Sequence, residues 1–169
     1  MPCAVRGTHH EHRGRLHRAV VDGAAPAQPG RRRRYGELCS TLHRQGRLSD
    51  LLPFYHAVIS HEALSSTAMS LGWAMPHARM AVVRRLSFAL GRTAEPLVWF
   101  GGEPVNMVFL FAVPESHAAA YLSLISGLAS LAQERLRLER LDDAPDGMAM
   151  FEVLREISLP KRHAAVVVA

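Results

Sequence analysis

The sequence predicts an α/β fold in which a mixed β-sheet is flanked by helices on both faces. Helical periodicity comes first along the chain, extended apolar runs follow, and helical periodicity returns beyond residue 115. The run Val105–Val113 is almost continuously apolar, which is typical of a strand covered on both faces. A sheet with such a strand at its centre needs a helical layer on each side.

Length and composition describe one ordinary domain. The chain has 169 residues, 49% hydrophobic and 21% charged, and can bury a core without disulfides or a metal. Its two cysteines, Cys3 and Cys39, exclude a disulfide framework and favour a reducing compartment. No apolar run approaches the roughly twenty residues that span a bilayer, and the N-terminus lacks the apolar segment of a signal peptide. We therefore expect a cytoplasmic protein without membrane insertion.

The excess positive charge is confined to residues 1–34, which carry eight arginines against two acidic residues. We predict a basic, mostly disordered arm here, with a short edge strand over Leu16–Val21 as its one extended stretch. The run Arg31–Arg34 is interpreted as a solvated linker. Binding of nucleic acid by this run is the alternative, which we do not favour because no aromatic residues are interleaved.

Two helices are predicted after this arm. The first begins at Tyr35 and ends at Gly46, because glycine suits the residue that follows a helix. The second covers residues 51–59, with Ser49 as its N-cap and Pro53 tolerated in its first turn. The apolar residues of this second helix recur at helical spacing, which predicts one buried face.

The middle of the chain reads as strands. The segment Ala68–Pro76 becomes extended at its end, since proline disfavours helix in the residue before it. Three strands follow, with a turn at Gly101-Gly102: Leu86–Leu90, Leu97–Phe100 and Val105–Val113. Helices are then predicted over residues 122–131 and 148–157. The folded domain is assigned to residues 35–158, and residues 159–169 are interpreted as a loose C-terminal tail.

His77 is the candidate reactive residue among ten histidines. It follows Pro76 at the end of the extended segment, and Arg79, two residues later, points to the same side of an extended chain. A neutral imidazole nitrogen is nucleophilic near pH 7 and can accept a phosphoryl group, whose negative charge a guanidinium binds well. Ser66 and Thr67 are candidates for further hydroxyl donors. Three other histidines are expected at the surface: His43, His56 and His61.

The run SSTAMSLGWAMPHARM resembles the active-site motif of fructose/mannitol-type enzyme IIA domains of the bacterial phosphotransferase system. The typical family form is close to S-T-G-I-G-x-G-I-A-I-P-H-G-R. The positions that match in register are Ser66, Thr67, Gly72, Ala74, Pro76, His77 and Arg79. The later run EPVNMVFLFAVPES is similar to the family's next buried strand and its Val-Pro-Glu turn. The resemblance extends from about Tyr35 to Ile157 and implies the enzyme IIA type 2 fold.

The resemblance implies a phosphocarrier in which His77 accepts a phosphoryl group from a phosphohistidine protein of the HPr type. Sugar-transporting members pass this group to a cysteine of an enzyme IIB, whereas in the nitrogen-regulatory branch the phosphorylation state controls contacts with other proteins. A freestanding domain favours the nitrogen-regulatory branch. His77 matches the family's acceptor, and Arg79 matches the basic residue just after it. The predicted phosphoryl-stabilising residues are Arg79, Ser66, Thr67 and Tyr121, and no metal, nucleotide or organic cofactor is implied.

Four positions depart from the family pattern. Tyr121 stands where family members place a second histidine near the acceptor; its hydroxyl donates a hydrogen bond but cannot carry the charge of an imidazolium. His117, four residues earlier, is expected at the surface. Three glycines are replaced, by Ala68, Ser70 and Ala78, which is costly where the backbone needs a positive φ. These departures keep a catalytically weakened regulatory binding module of the same fold as the alternative.

Overall fold

The computed structural model of the chain describes residues 29–156 and 165–168. Five helices occur in this part of the chain: α1 (Pro29–Arg44), α2 (Leu51–Leu64), α3 (Ala118–Gln133), α4 (Arg135–Asp142) and α5 (Gly147–Arg155). Six strands occur there: β1 (Ala68–Met69), β2 (Trp73–Ala74), β3 (His77–Arg79), β4 (Ser87–Val98), β5 (Pro104–Val113) and β6 (Ala165–Val168). None of these helices combines the length and apolar character that crossing a bilayer requires.

All six strands form one mixed sheet with β5 at its centre. The order is β1-β2-β5-β4-β6, and β3 also pairs with β5, beyond β2 along the same edge. β5 is antiparallel to β4 and parallel to both β2 and β3, while β6 is parallel to β4. Apart from Pro104 and Asn106, every residue of β5 is buried, as predicted for a central strand.

Alternate residues of β5 pack against different helices, because successive side chains of a strand point to opposite faces. Phe109, Phe111 and Val113 belong to a core with α3, α4 and α5. Val108, Leu110 and Ala112 belong to a second core with α1 and α2. The predicted fold class, a mixed sheet flanked by helices on both faces, is therefore confirmed.

The first helix begins at Pro29, six residues before the predicted start, so interpreting Arg31–Arg34 as a solvated linker was wrong. Arg31 is only 6% exposed, and its guanidinium lies 3.8 Å from the centre of the Phe100 ring. Arg34 donates a hydrogen bond to the Arg92 carbonyl and pairs with Glu37. These contacts hold arginines of the run against the protein and weaken the nucleic-acid alternative. The proposed strand Leu16–Val21 and the rest of residues 1–28 lie outside the described residues.

One long strand, β4, replaces two predicted strands: it includes all but the first residue of Leu86–Leu90 and the first half of Leu97–Phe100. The register against β5 shifts between Arg92 and Leu97, and this irregularity interrupts the apolar pattern that the sequence shows. The predicted glycine turn is confirmed: Gly102 has a φ of 92° and donates its N–H to the Trp99 carbonyl.

Two further elements were not predicted. The tail assigned to residues 159–169 contains β6, whose backbone pairs with Ser87–Leu90 of β4. Its residues, Ala165–Val168, are mostly β-branched, a strand signal that was outweighed by their position at the chain end. α4 was missed because its eight residues, RLRLERLD, are mostly charged, and of them only Leu141 is buried.

The N-cap of α2 is Asp50 rather than the predicted Ser49. Asp50 has extended backbone angles, and its carboxylate accepts a hydrogen bond from the N–H of Leu52 at 3.2 Å. The Ser49 hydroxyl instead donates to the carbonyl of Val82 at 3.1 Å. Both residue types are common caps, so the sequence alone did not decide between neighbours.

Asp50→Ala is expected to lower the free energy of unfolding by about 1 kcal/mol, since one N–H at the start of α2 loses its acceptor. Urea unfolding followed by circular dichroism measures this change. Ser49→Ala is the matched control and is expected to cost less, because it removes a solvent-exposed hydrogen bond outside the helix. The reverse order of the two effects would show that Ser49 is the cap after all.

Candidate functional site

The candidate reactive histidine, His77, lies on β3, next to the C-terminal end of β5. Pro76 precedes β3, and its carbonyl accepts the N–H of Phe111 at 2.9 Å. β3 then pairs in parallel with β5, with His77 opposite Phe111 and Arg79 opposite Val113. His77 and Arg79 are separated by one residue of a strand and therefore lie on the same side of it, as the sequence predicted.

A cleft of about 560 Å³ opens on this side of β3, between α2 and the start of α3. Of the residues predicted for the site, the structure brings together His77, Arg79 and Tyr121 in this cleft. It adds His61, which was expected only to be a surface residue. The remaining lining is apolar: Ala57, Ala78, Met80, Val113, Ala118 and Leu122.

The imidazole of His77 is held between two other rings. The His61 ring meets it edge-on, with 4.6 Å between the ring centres. The Tyr121 ring lies 5.2 Å away, and Tyr121 packs edge-on against Phe111 of β5. Each ring of this group comes from a different element, because His61 is on α2, His77 on β3 and Tyr121 on α3. Packing against His61 of α2 and Tyr121 of α3 therefore restricts the orientation of the His77 ring.

The hydrogen bond of His77 indicates which ring nitrogen is nucleophilic. Its Nδ1 lies 3.4 Å from the carbonyl oxygen of Met75, which can only accept, so we assign the proton to Nδ1. Nε2 then carries the free lone pair. Burial lowers the pKa of His77; the Met75 hydrogen bond opposes this, and the charge of His61 adds to it. His77 is therefore neutral, and nucleophilic, near pH 7.

Tyr121 and Arg79 offer two different kinds of donor at the cleft. Burial raises the pKa of Tyr121 to about 12, so its phenol stays neutral and keeps a proton to donate. Arg79 is exposed, and within residues 29–156 and 165–168 its guanidinium makes no hydrogen bond or ion pair. Such a guanidinium is available to an anion that enters the cleft.

Ser66 and Thr67, the two other predicted donors, do not line the cleft. The Thr67 hydroxyl is 2.9 Å from each carboxylate oxygen of Glu62 and also accepts the N–H of Met75. The exposed Ser66 hydroxyl accepts the N–H of Ala68 at 3.3 Å. Both hydroxyls serve the local fold of the segment that leads to β3. Both hydroxyls therefore lie outside the lining of the cleft that contains His77.

The replaced family glycines leave the backbone unstrained. No non-glycine residue of the described part has a positive φ, so Ala68, Ser70 and Ala78 adopt ordinary backbone angles. Gly72 is the glycine of the motif that needs its freedom, with a φ of 72°. A Cβ there would also lie 2.9 Å from the Asn106 amide oxygen. The expected cost of the three replacements is thus absent at the backbone.

Two residues important to the site were missed from the sequence. His61 shares the cleft-facing side of α2 with Ala57, four residues earlier, but helical spacing alone does not say which side faces β3. Glu62 is fully buried and binds both Thr67 and Trp99. A carboxylate within an apolar helix is the sequence signal that points to such a buried residue.

His117, which precedes α3, does not line the cleft; its Nδ1 lies 2.9 Å from the Ser116 hydroxyl.

The cleft therefore combines a neutral nucleophilic imidazole with a guanidinium, a phenol and a second imidazole. These groups suit a small, strongly anionic electrophile such as a phosphoryl group. Within the described ranges, no three side chains of His, Cys, Asp or Glu are grouped as metal ligands. Chemically, such a set of groups is able to accept a phosphoryl group at an imidazole nitrogen and to release it again.

Known proteins share this sequence pattern and fold. The chain is 27% identical over 122 residues to the PTS system fructose-specific EIIABC component of Bacillus subtilis, which covers 71% of this chain and 19% of that protein. It thus spans about a fifth of the length of that relative. The crystal structure of nitrogen regulatory protein IIA-Ntr from Neisseria meningitidis superposes with a TM-score of 0.64 at 27% identity, covering 78% of this chain and 88% of that one.

A third similarity concerns the fold alone. The complex of enzyme IIAMTL and phosphorylated enzyme IIBMTL from Escherichia coli matches with a TM-score of 0.61 at 16% identity, covering 79% of this chain and 92% of that one. The family described as "Phosphoenolpyruvate-dependent sugar phosphotransferase system, EIIA 2" matches residues 36–157. Since this match includes most of the chain, the cleft and its three rings, the protein belongs to the type 2 enzyme IIA family of the phosphotransferase system.

Proposed function

We propose that this protein is a phosphocarrier in which His77 accepts a phosphoryl group from a phosphohistidine donor of the HPr type. The observation that carries the proposal is the hydrogen bond of His77 Nδ1 to the Met75 carbonyl, which leaves Nε2 as a neutral nucleophile in an open cleft. Family membership supplies the class of donor. The free guanidinium of Arg79 supplies a partner for the transferred charge.

The transfer moves one phosphoryl group between two imidazoles. The lone pair of His77 Nε2 forms a new N–P bond while the N–P bond of the donor breaks, and that electron pair returns to the donor imidazole. The Nδ1 proton stays on His77, hydrogen-bonded to Met75, so no proton needs to be removed for the attack and the phosphorylated ring carries one positive charge. The donor ring carries a proton on its other nitrogen and therefore leaves as a neutral imidazole. The transferred phosphoryl group brings close to two negative charges into the cleft, and in this proposal Arg79 and the Tyr121 hydroxyl bind them.

The group then leaves His77 in one of two ways that the family offers. It is passed to a cysteine of an enzyme IIB, or it stays on His77 as a signal that controls contacts with a regulatory target. The similarity to a nitrogen regulatory protein supports the second use, and the similarity to a fructose component supports the first. Incubating the charged protein with an enzyme IIB and following the label separates these two uses.

Labelling by a charged donor tests the proposal. The purified chain is incubated with a phosphorylated HPr-type protein, and the expected result is a mass increase of one phosphoryl group that is stable in base and lost in acid. Peptide mapping is expected to place this group on the segment that contains His77. If a donor that charges another enzyme IIA leaves this chain unlabelled, the phosphocarrier proposal fails. The regulatory binding module of the same fold would then be the better description.

Tyr121→Phe is expected to slow the charging of His77 about fivefold, the effect of roughly 1 kcal/mol from one neutral hydrogen bond. The ring contact with His77 is kept in this variant, so the change isolates the hydroxyl. Rapid-quench labelling measures the rate. Tyr121→His is the complementary variant and is expected to charge at least as fast as the wild type, since an imidazolium carries a charge. A charging rate that is unchanged in Tyr121→Phe would remove Tyr121 from the phosphoryl-stabilising residues.

A further inference from the structure

His61 lies next to His77, close to the place where a phosphoryl group on His77 would be. Its ring centre is 4.6 Å from that of His77, and both side chains line the same cleft. His61 is exposed, whereas His77 is half-buried between His61 and Tyr121. The backbone of His61 is fixed as well, because its carbonyl accepts the N–H of Ser65 at the end of α2. A rigid backbone and an exposed ring allow a small rotation towards the cleft without disturbing the helix.

His61 lies at the end of a helix and next to a buried carboxylate. It lies in the last turn of α2, where the helix dipole attracts cations. The next residue, Glu62, has a pKa that burial raises and that hydrogen bonds from Thr67 and Trp99, together with the charge of His61, lower. Among the described residues that line the cleft, the other ionisable groups facing His61 are His77, Arg79 and Tyr121. Tyr121 is neutral, and Arg79 is the only other cation of this set.

We propose that His61, in its protonated form, supplies the positive charge that binds the phosphoryl group on His77. This inference rests on the proposed function, since it describes what holds the group once His77 has accepted it. Tyr121 can donate a hydrogen bond to the phosphoryl group but carries no charge, so the positive charge comes from another side chain. The phosphoryl group thus meets a cation from α2, another from β3, and a neutral donor, Tyr121, from α3.

Two neighbouring imidazoles can then have opposite roles. In this proposal the half-buried His77 is the neutral nucleophile, and His61, exposed in the last turn of α2, is the cation that binds the product. A histidine loses its charge as the pH rises through the neutral range, and an arginine does not. The phosphoryl group is therefore expected to be bound more weakly as the pH rises. The variant His61→Arg is expected to lose this pH dependence.

The equilibrium between donor and His77 measures this effect. Wild type, His61→Gln and His61→Arg are each mixed with an HPr-type donor, and the charged fractions of both proteins are read by mass spectrometry from pH 6 to 8.5. His61→Gln is expected to lower the equilibrium constant about tenfold at pH 6, from the loss of one partly exposed charge-assisted hydrogen bond. His61→Arg is expected to match the wild type at pH 6 and to exceed it at pH 8.5. The same donor is used throughout, so its own pH dependence cancels in the ratios.

His43→Gln is the matched control, because His43 is an exposed histidine on α1 that does not line the cleft. It is expected to follow the wild type at every pH. If His61→Gln follows the wild type as well, or if His61→Arg keeps the wild-type pH dependence, the role of His61 is refuted although His77 still charges. If no variant and no wild-type protein is charged, the proposed function itself fails. These outcomes separate the two proposals.

Discussion

Replacing His77 with alanine is expected to reduce phosphoryl labelling by a charged HPr-type donor to background. The variant removes the ring whose Nδ1 is held by the Met75 carbonyl and whose Nε2 is free to attack, so the proposed acceptor of the N–P bond is lost. The loss is expected to be complete rather than partial, since Arg79 and Tyr121 stabilise charge but do not attack phosphorus. Mass spectrometry of the intact protein, taken before and after acid treatment, measures the label.

The alanine variant is expected to fold, because the His77 side chain is half-buried and its ring makes a single long hydrogen bond. Thermal unfolding followed by circular dichroism checks this. His43→Ala makes the same chemical change on the exposed surface of α1 and is expected to leave labelling intact. An acid-labile label that persists in His77→Ala would contradict the assignment, and mapping it to His61 would identify the neighbouring imidazole as the acceptor.

The sequence was sufficient to predict the core of this fold because its strongest signal lies at the centre. Val105–Val113 is apolar without alternation, and it became the buried strand β5 with helices on both sides. The prediction failed at positions where tertiary contacts override local pattern. Arg31 joins α1 because its guanidinium packs on Phe100, a partner 69 residues away that no local periodicity reveals.

Residue spacing predicted the part of the site that lies on one strand, and the resemblance to a family pointed to Tyr121 on α3, whereas His61 on α2 was not predicted. His77 and Arg79 share one short strand, so their common direction follows from the spacing of two residues. His61 comes from a different element, and its contact with His77 depends on how α2 packs against β3. Thr67 is the opposite case, because its position close to His77 in sequence predicts a donor at the site, whereas its hydroxyl binds Glu62.

The buried residue Glu62 is connected to His77 by a chain of hydrogen bonds. Its carboxylate accepts hydrogen bonds from the Thr67 N–H at 2.6 Å, from the Thr67 hydroxyl at 2.9 Å, and from the indole N–H of Trp99 at 2.6 Å. The Thr67 hydroxyl in turn accepts the N–H of Met75, whose carbonyl fixes the proton of His77. A buried carboxylate therefore holds, through two residues, the segment that orients the nucleophile.

Glu62→Ala is expected to lower the free energy of unfolding by about 3 kcal/mol, because it leaves the buried N–H groups of Thr67 and Trp99 without an acceptor. Glu62→Gln keeps one acceptor oxygen in the same place and is expected to cost about 1 kcal/mol. Urea unfolding of the three proteins at pH 7 measures both. Equal losses in the alanine and glutamine variants would show that the carbonyl-type acceptor is not what stabilises this region.

The stability difference between the wild type and Glu62→Gln is expected to depend on pH. Burial raises the pKa of Glu62 above its ordinary value of 4.5, so the native state holds this proton more tightly than the unfolded chain does. The stabilisation from the protonated carboxyl is complete below the unfolded pKa and is lost as the pH rises through the higher folded pKa. The wild type should therefore lose stability relative to Glu62→Gln as the pH increases from 4 to 8. A constant difference over this range would mean that Glu62 is as readily ionised in the fold as in the unfolded chain, and that its three donors fully offset its burial.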